Sequence, residues 1–221
     1  MSNQHISWID QLEQLIQEHH MLASPFYQAW TAGTLTKATL QEYAKEYYQH
    51  VKAFPTYISA LHSRCEDPEV RRALLTNLMD EEAGDPNHLE LWASFAVSVG
   101  VDRSTLEAHQ PKEFTKALIN HFRTSCSLLP ITIGLAALYS YESQIPVICK
   151  TKIDGLKKWY GITDPEGYRY FSEHETADVE HAAEERQLLL SLVPPGQESA
   201  ILESAAKTLS ALREFLGSFQ Y

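Results

Sequence analysis

The stretch "PITIGLAALYSYESQIPVICKTKIDGLKKWYG", residues 130–161, limits the fold more than any other part of the chain. Its first half is apolar all round at helical spacing, and such a helix is stable only when other elements surround it. It belongs at the centre of a bundle. Glu142 stands in this segment, shortly after "GLAAL". A buried carboxylate costs on the order of several kcal/mol unless it is paired or metal-bound. A partner for Glu142 is therefore expected. Pro146 reads as a kink within the same helix.

The rest of the chain reads as helix too. "ISWIDQLEQLIQEHH" has Ile6, Leu12, Leu15 and Ile16 at helical spacing. Ser24-Pro25 breaks the chain before a short helix in "FYQAWTAG", with Gly33 as its stop. Thr36 opens a long helix, in which Pro55 is expected to introduce a kink. Asp-Pro pairs start "DPEVRRALLTNLMDEEAG" and "DPNHLELWASFAVSVG", and "DPEGYRYFSEHETADVEHAAEERQLLLSLV" is a further helical segment that Pro194-Pro195-Gly196 ends. "PKEFTKALINHFRTSCSL" and "QESAILESAAKTLSALREFLGSF" complete the set. No strand pattern, repeat or linker interrupts it. The expectation is one all-α domain over residues 1–221, a single-domain bundle of about seven to nine helices.

Within "EHETADVEH", His174, Asp178 and His181 are spaced by four and then three residues, which places them on one helix stripe. Two imidazoles and a carboxylate suit a divalent transition metal. The same stripe serves equally well as a solvated acidic face with two incidental histidines. Other helices must decide. "MDEEAGDPNH" sets Glu81 and His88 seven apart, on one face if the helix continues through Gly84 and Pro86. Adding Glu142 gives three carboxylates and three imidazoles from three helices. That donor set is sufficient for two metals with open positions for dioxygen, and it is related to the Glu and Glu-x-x-His sites of di-iron bundles.

Charge and cysteine usage exclude other classes. A net charge of −11 argues against a nucleic-acid or anionic-membrane partner. No apolar run of bilayer length is present. The start "MSNQHISWIDQ" lacks the basic and apolar regions of a signal peptide. Three widely spaced cysteines without a CxxC pair fit a reduced, cytoplasmic setting.

The blocks "FYQAW", "YAKEYYQHVKAFPTYISALHSRC", "NLMDEEAGDPNHLELW", "AALYSYESQIP" and "YFSEHETADVEHAAEE" resemble the CADD family, the Chlamydia protein associating with death domains. The resemblance runs from about residue 8 to the final helix. It is more specific than the wider likeness to the TenA/Thi-4 and PQQ-synthesis protein C groups, which share a heme-oxygenase-like helical fold. The resemblance implies a dioxygen-dependent dimetal oxidase, with iron and/or manganese, that makes p-aminobenzoate for folate from one of its own tyrosines. Glu81, His88, Glu142, His174, Asp178 and His181 match the family's six ligands. Tyr27 matches the consumed tyrosine and Lys152 the amino donor, with Lys150 close by, while Tyr43 and Tyr141 match aromatic positions of the pocket. Without the resemblance, Lys152 reads as a surface lysine and Tyr27 as an ordinary packed aromatic. The family name also implies a death-domain protein as partner, which no residue pattern carries.

The residues weigh against neighbouring chemistries. A TenA-type pyrimidine hydrolase needs a cysteine in the central helix, and "GLAALYSYE" has none. Metal-free PQQ-type ring oxidation leaves six ligands unexplained. Heme oxygenase proper needs a first-helix histidine, whereas His19 and His20 fall at a helix end. A dimetal oxidase with an external substrate stays open at this point. A reductant is required in either case. Trp8, Trp159 and "FLGSFQY" are candidates for a homodimer interface.

Overall fold

Capping and packing together divide the chain into helices. The structure is a computed structural model and describes residues 6–221. The first five residues of the "MSNQHISWIDQ" reading lie outside the described residues. The helices are α1 (Trp8–Glu18), α2 (Pro25–Ala32), α3 (Lys37–Arg64), α4 (Pro68–Glu82), α5 (His88–Ser98) and α6 (Arg103–Ala108). They continue with α7 (Glu113–Ser127), α8 (Ile131–Glu142), α9 (Ile145–Trp159), α10 (Arg169–Leu192) and α11 (Glu198–Gly217). No strand occurs among the described residues, and no helix is long and apolar enough to cross a membrane.

Local chemistry accounts for most boundaries. Ser24, Thr36 and Asp67 each accept a hydrogen bond from a backbone N–H in the first turn of α2, α3 and α4. This satisfies donors that a helix start otherwise leaves unpaired. Gly33 closes α2 in the left-handed conformation, φ 71°, which a side chain rarely adopts. The Trp159 ring also packs so close to Gly33 that a Cβ there would lie 2.4 Å from Cγ of Trp159.

Three expectations need correction. Asp85-Pro86 does not start α5; the peptide is cis, and Asn87 caps the helix by accepting from the Glu90 N–H. Glu81 and His88 therefore sit on separate helices, joined by a turn. Pro146 does not kink one long helix either. It lies in the first turn of α9, after α8 ends at Glu142, where its missing N–H costs nothing. Gln144 holds this break: its Nε2 donates to Ser140 O at 2.6 Å, and its Oε1 accepts from the Met21 N–H at 2.7 Å. By contrast, α3 runs unbroken through Pro55. These splits raise the count above nine.

As expected from its sequence, α8 is central. Residues from Gly134 to Glu142 are all buried, and the helix packs on α3, α7, α9, α10 and α11. The C-terminal Phe215, Leu216 and Phe219 are buried in the core, so this segment is not the free apolar surface its sequence implies. They pack among Phe26, Tyr43, Tyr47 and Phe114.

A candidate dimetal centre beside a phenol–lysine cluster

Four helices, rather than three, deliver the predicted ligands. Glu81 ends α4, His88 opens α5, Glu142 ends α8, and α10 supplies His174, Asp178 and His181. All six are buried. They fall into two groups, Glu81–His88–His174 and Glu142–Asp178–His181, in each of which the donor atoms lie within 4.8 Å of one another.

Surrounding groups orient the imidazoles. His174 donates from Nδ1 to Tyr170 O at 2.7 Å, leaving Nε2 facing Glu81 Oε1 at 3.8 Å. His181 donates from Nε2 to Asp80 Oδ2 at 3.0 Å, leaving Nδ1 3.5 Å from Asp178 Oδ1 and 3.7 Å from Glu142 Oε1. An imidazole anchored through one nitrogen and presenting the other inward is the usual arrangement of a metal-binding histidine. Asn77 Nδ2 donates to Glu142 Oε1 at 3.1 Å and orients that carboxylate.

The protonation pattern fits a cation site. Burial raises the Glu142 carboxyl to about 7, a rise opposed by Glu185, His181 and Asn77. Burial alone would lower His181, but the facing Asp178 and Glu142 carboxylates hold it up to about 10. Protons are drawn to a pocket dense in negative charge, and a divalent cation answers the same pull. Glu81 behaves differently. Burial opposes its ionisation, yet the facing His174 and His88 imidazoles outweigh that and hold it well below the usual carboxylate range.

Unpaired atoms also fit the metal reading. Glu142 Oε2, Asp178 Oδ2, His88 Nδ1 and His181 Nδ1 are buried and lack a hydrogen-bond partner. His88 Nδ1 does approach Glu81 Oε2 to 3.0 Å, without hydrogen-bond geometry. Leaving such atoms unmatched is costly, and two divalent ions would engage the four together. A further carboxylate, Glu185, is buried on α10 beside Glu142 with neither oxygen partnered. It continues the histidine stripe one turn past His181, a continuation the sequence reading did not use.

A cavity lies against these groups, bounded by His50, Glu81, Tyr141, Glu142, His174 and Asp178, among others. The centre of a water-sized sphere has about 10 Å³ in it, roughly the space one water needs.

Beside it are the predicted tyrosines and lysine. Lys152 is 2% exposed, despite its place in a lysine-rich stretch. Its Nζ donates to Tyr43 Oη at 2.7 Å and lies 5.6 Å from the Tyr27 ring centre. Tyr27 and Tyr43 pair through their hydroxyls at 3.4 Å. Burial lowers the Lys152 amine to about 8 and pushes both phenols up. Gly155 allows this approach of α9 to α2, since a Cβ there would lie 2.5 Å from Trp30 Nε1; Trp30 in turn donates to Lys152 O. Tyr141 is in the cavity wall and shares a 2.5 Å hydrogen bond with Tyr47. Tyr47 packs on Tyr43, ring centres 5.3 Å apart, and so links the two halves. Its position inside a long aromatic run gave no separate signal.

Comparison with known proteins places the chain in a family. The TENA/THI-4/PQQC family model matches residues 9–221. A Chlamydia muridarum protein named 4-aminobenzoate synthase is 50% identical over 97% of this chain and 90% of its own length. A solved Shewanella denitrificans domain with a heme oxygenase-like fold superposes with a TM-score of 0.81 at 19% identity, covering 96% of this chain and 91% of that one. A CADD-like protein of unknown function from Nostoc punctiforme superposes with a TM-score of 0.76 at 18% identity, covering 95% and 94%. With a family match over almost its whole length and half its residues shared with a named synthase, the chain belongs to the TENA/THI-4/PQQC family.

Proposed function

We propose that this chain is a dimetal oxidase that makes 4-aminobenzoate, taking the ring from its own Tyr27 and the nitrogen from its own Lys152. The observation that carries the reading is the placement of Lys152: a buried amine, bonded to Tyr43 and facing Tyr27, and linked through Tyr47 to Tyr141 in the wall of a cavity lined by acids and imidazoles. Neither reactant has to enter from outside. The cavity holds about one water-sized molecule, which suits dioxygen.

Each residue then has a task. Glu81, His88 and His174 hold one ion, and Glu142, Asp178 and His181 the other; nitrogen and oxygen donors of this kind suit iron or manganese. Metals held there would supply electrons toward dioxygen, drawing on an external reductant. Burial keeps Tyr27 a neutral phenol, so oxidising it removes a proton as well as an electron. Tyr43, bonded to both Tyr27 and Lys152, holds the phenol and the amine beside each other. Tyr47 and Tyr141 continue the run of phenols to the cavity. The lowered Lys152 makes its neutral amine accessible near neutral pH, as a nitrogen donor requires. Three free, buried cysteines suit a reducing compartment, and a cytoplasmic location follows.

The test is stoichiometry. Metal-loaded protein given dioxygen and reductant should release at most one 4-aminobenzoate per chain, with a matching loss of mass located at Tyr27. Sustained product beyond one equivalent would overturn the self-consuming reading.

A further inference from the structure

His50 is fully buried at 0% exposed, and neither ring nitrogen has a hydrogen-bond partner. It projects from α3 into an aromatic setting, with the rings of Tyr47, Phe54, Tyr57, Phe122 and Tyr141 centred 5.3–5.9 Å away. An imidazole surrounded in this way strands one donor and one acceptor, whichever tautomer it adopts. A phenylalanine or leucine would fill the same space without stranding either.

The direction in which His50 faces gives it a use. It forms part of the wall of the small cavity, together with Glu81, Glu142, His174 and Asp178. It is outside both donor groups, so it is not one of the ligands. Burial holds it neutral, lowered to about 3, so it retains one N–H and one lone pair across the physiological range. Buried polar groups in folded proteins are nearly always satisfied, and the cavity provides a place beside His50 where a partner of about water size fits.

We propose that His50 is a positioning residue whose N–H donates a hydrogen bond to a small acceptor, dioxygen or an anion of similar size, bound in this cavity at the metal centre. The inference rests on the metal-centre half of the reading above, and not on the source of the ring. One face of the cavity binds the acceptor through metal. His50 holds its far atoms from the protein side, which selects an orientation. An apolar wall would leave that orientation free.

Azide is a suitable probe, because it binds oxidised iron and gives a visible charge-transfer band that can be titrated. His50→Gln and His50→Met differ little in shape, but only glutamine retains an N–H. In iron-loaded protein, His50→Met should weaken azide binding about tenfold, the scale of one hydrogen bond, while His50→Gln stays within about threefold of the parent. Metal content should be unchanged in both. Equal azide affinity in the two variants at full metal content would overturn the proposal and leave the metal centre intact. Loss of metal from both variants would overturn it as well, by making His50 a ligand. Failure of the unaltered protein to bind metal would instead overturn the centre itself. The unaltered protein gives a second measurement independent of folding of the variants. Loaded with zinc and labelled with ¹⁵N at histidine, it should show an azide-dependent shift of one neutral imidazole that is not bound to metal; no such shift would refute the hydrogen bond.

Discussion

The acid–imidazole cavity and the phenol–lysine cluster are neighbours in one core, yet they treat their polar atoms in opposite ways. In the cavity, Glu142, Asp178, His88 and His181 each leave a buried atom unmatched, and so do Glu185 and His50. In the cluster, Tyr43 bonds to both Tyr27 and Lys152, and Tyr47 bonds to Tyr141, so each polar tip has a partner. The difference separates what each region receives from what it already holds. A pocket of stranded donors and acceptors awaits ions and a small ligand. A cluster of mutually satisfied groups holds its reactants in place. Both regions are equally buried, so burial alone does not distinguish a binding site from a reactant store; unmet hydrogen bonds do.

The largest test of this contrast is to change the cluster and leave the cavity alone. Tyr27→Phe and Lys152→Arg should each lower product from one equivalent to none in an aerobic single-turnover assay, with metal content unchanged. A phenyl ring removes only the hydroxyl, and a guanidinium stays protonated and cannot act as a neutral amine. Normal product from Tyr27→Phe would break the contrast by showing that the ring comes from elsewhere.

The next test concerns pH. Burial lowers Lys152 from 10.5 to about 8 by penalising its charged form, so the neutral amine is the major form above pH 8 and falls about tenfold per unit below it. The rate of product formation in fully metal-loaded protein should rise about fiftyfold from pH 6 to pH 8 and gain only about twofold more above that. A rate flat across this range would detach Lys152 from the rate-limiting chemistry.

The smallest effect belongs to the cavity without metal. Glu142 is 1% exposed and raised to about 7, so at pH 8 its charge is poorly compensated. Glu142→Leu should abolish binding at its half of the centre and yet stabilise the metal-free protein by about 1 kcal/mol or more, read as a higher midpoint in thermal unfolding. A lower midpoint would mean that Glu142 is already well satisfied by Asn77 and His181.

The candidate site residues were easier to pick out in the sequence than the helix boundaries. Helical spacing grouped His174, Asp178 and His181, and the apolar run around Glu142 announced a buried acid. Both features are local. Helix boundaries were harder, because Pro55 and Pro146 look alike in sequence: one lies inside α3 and the other begins α9. What separates them is the Gln144 contact with Met21, 123 residues away, which no local window contains. His50 and Tyr47 were missed because a histidine or tyrosine among aromatics reads as core. Only the third dimension shows which core residues border a cavity. Asp80 escaped for the reverse reason: it is half exposed, and only its bond to His181 marks it.

Tyr27 is 2% exposed and packs edge-on to Phe26, against Trp30 and Tyr43. If its ring departs as product, the core loses a large aromatic at a site with nothing to replace it. Comparable deletions cost about 3–5 kcal/mol, a large share of the ~5–15 kcal/mol that holds a typical protein folded. Each molecule of product would therefore leave behind a loosened chain, more often open to proteases than the one that was made. Supply of the product would then follow the rates of translation and of clearance, as for a consumable nutrient store, and the fold's own stability would mark which copies have been spent.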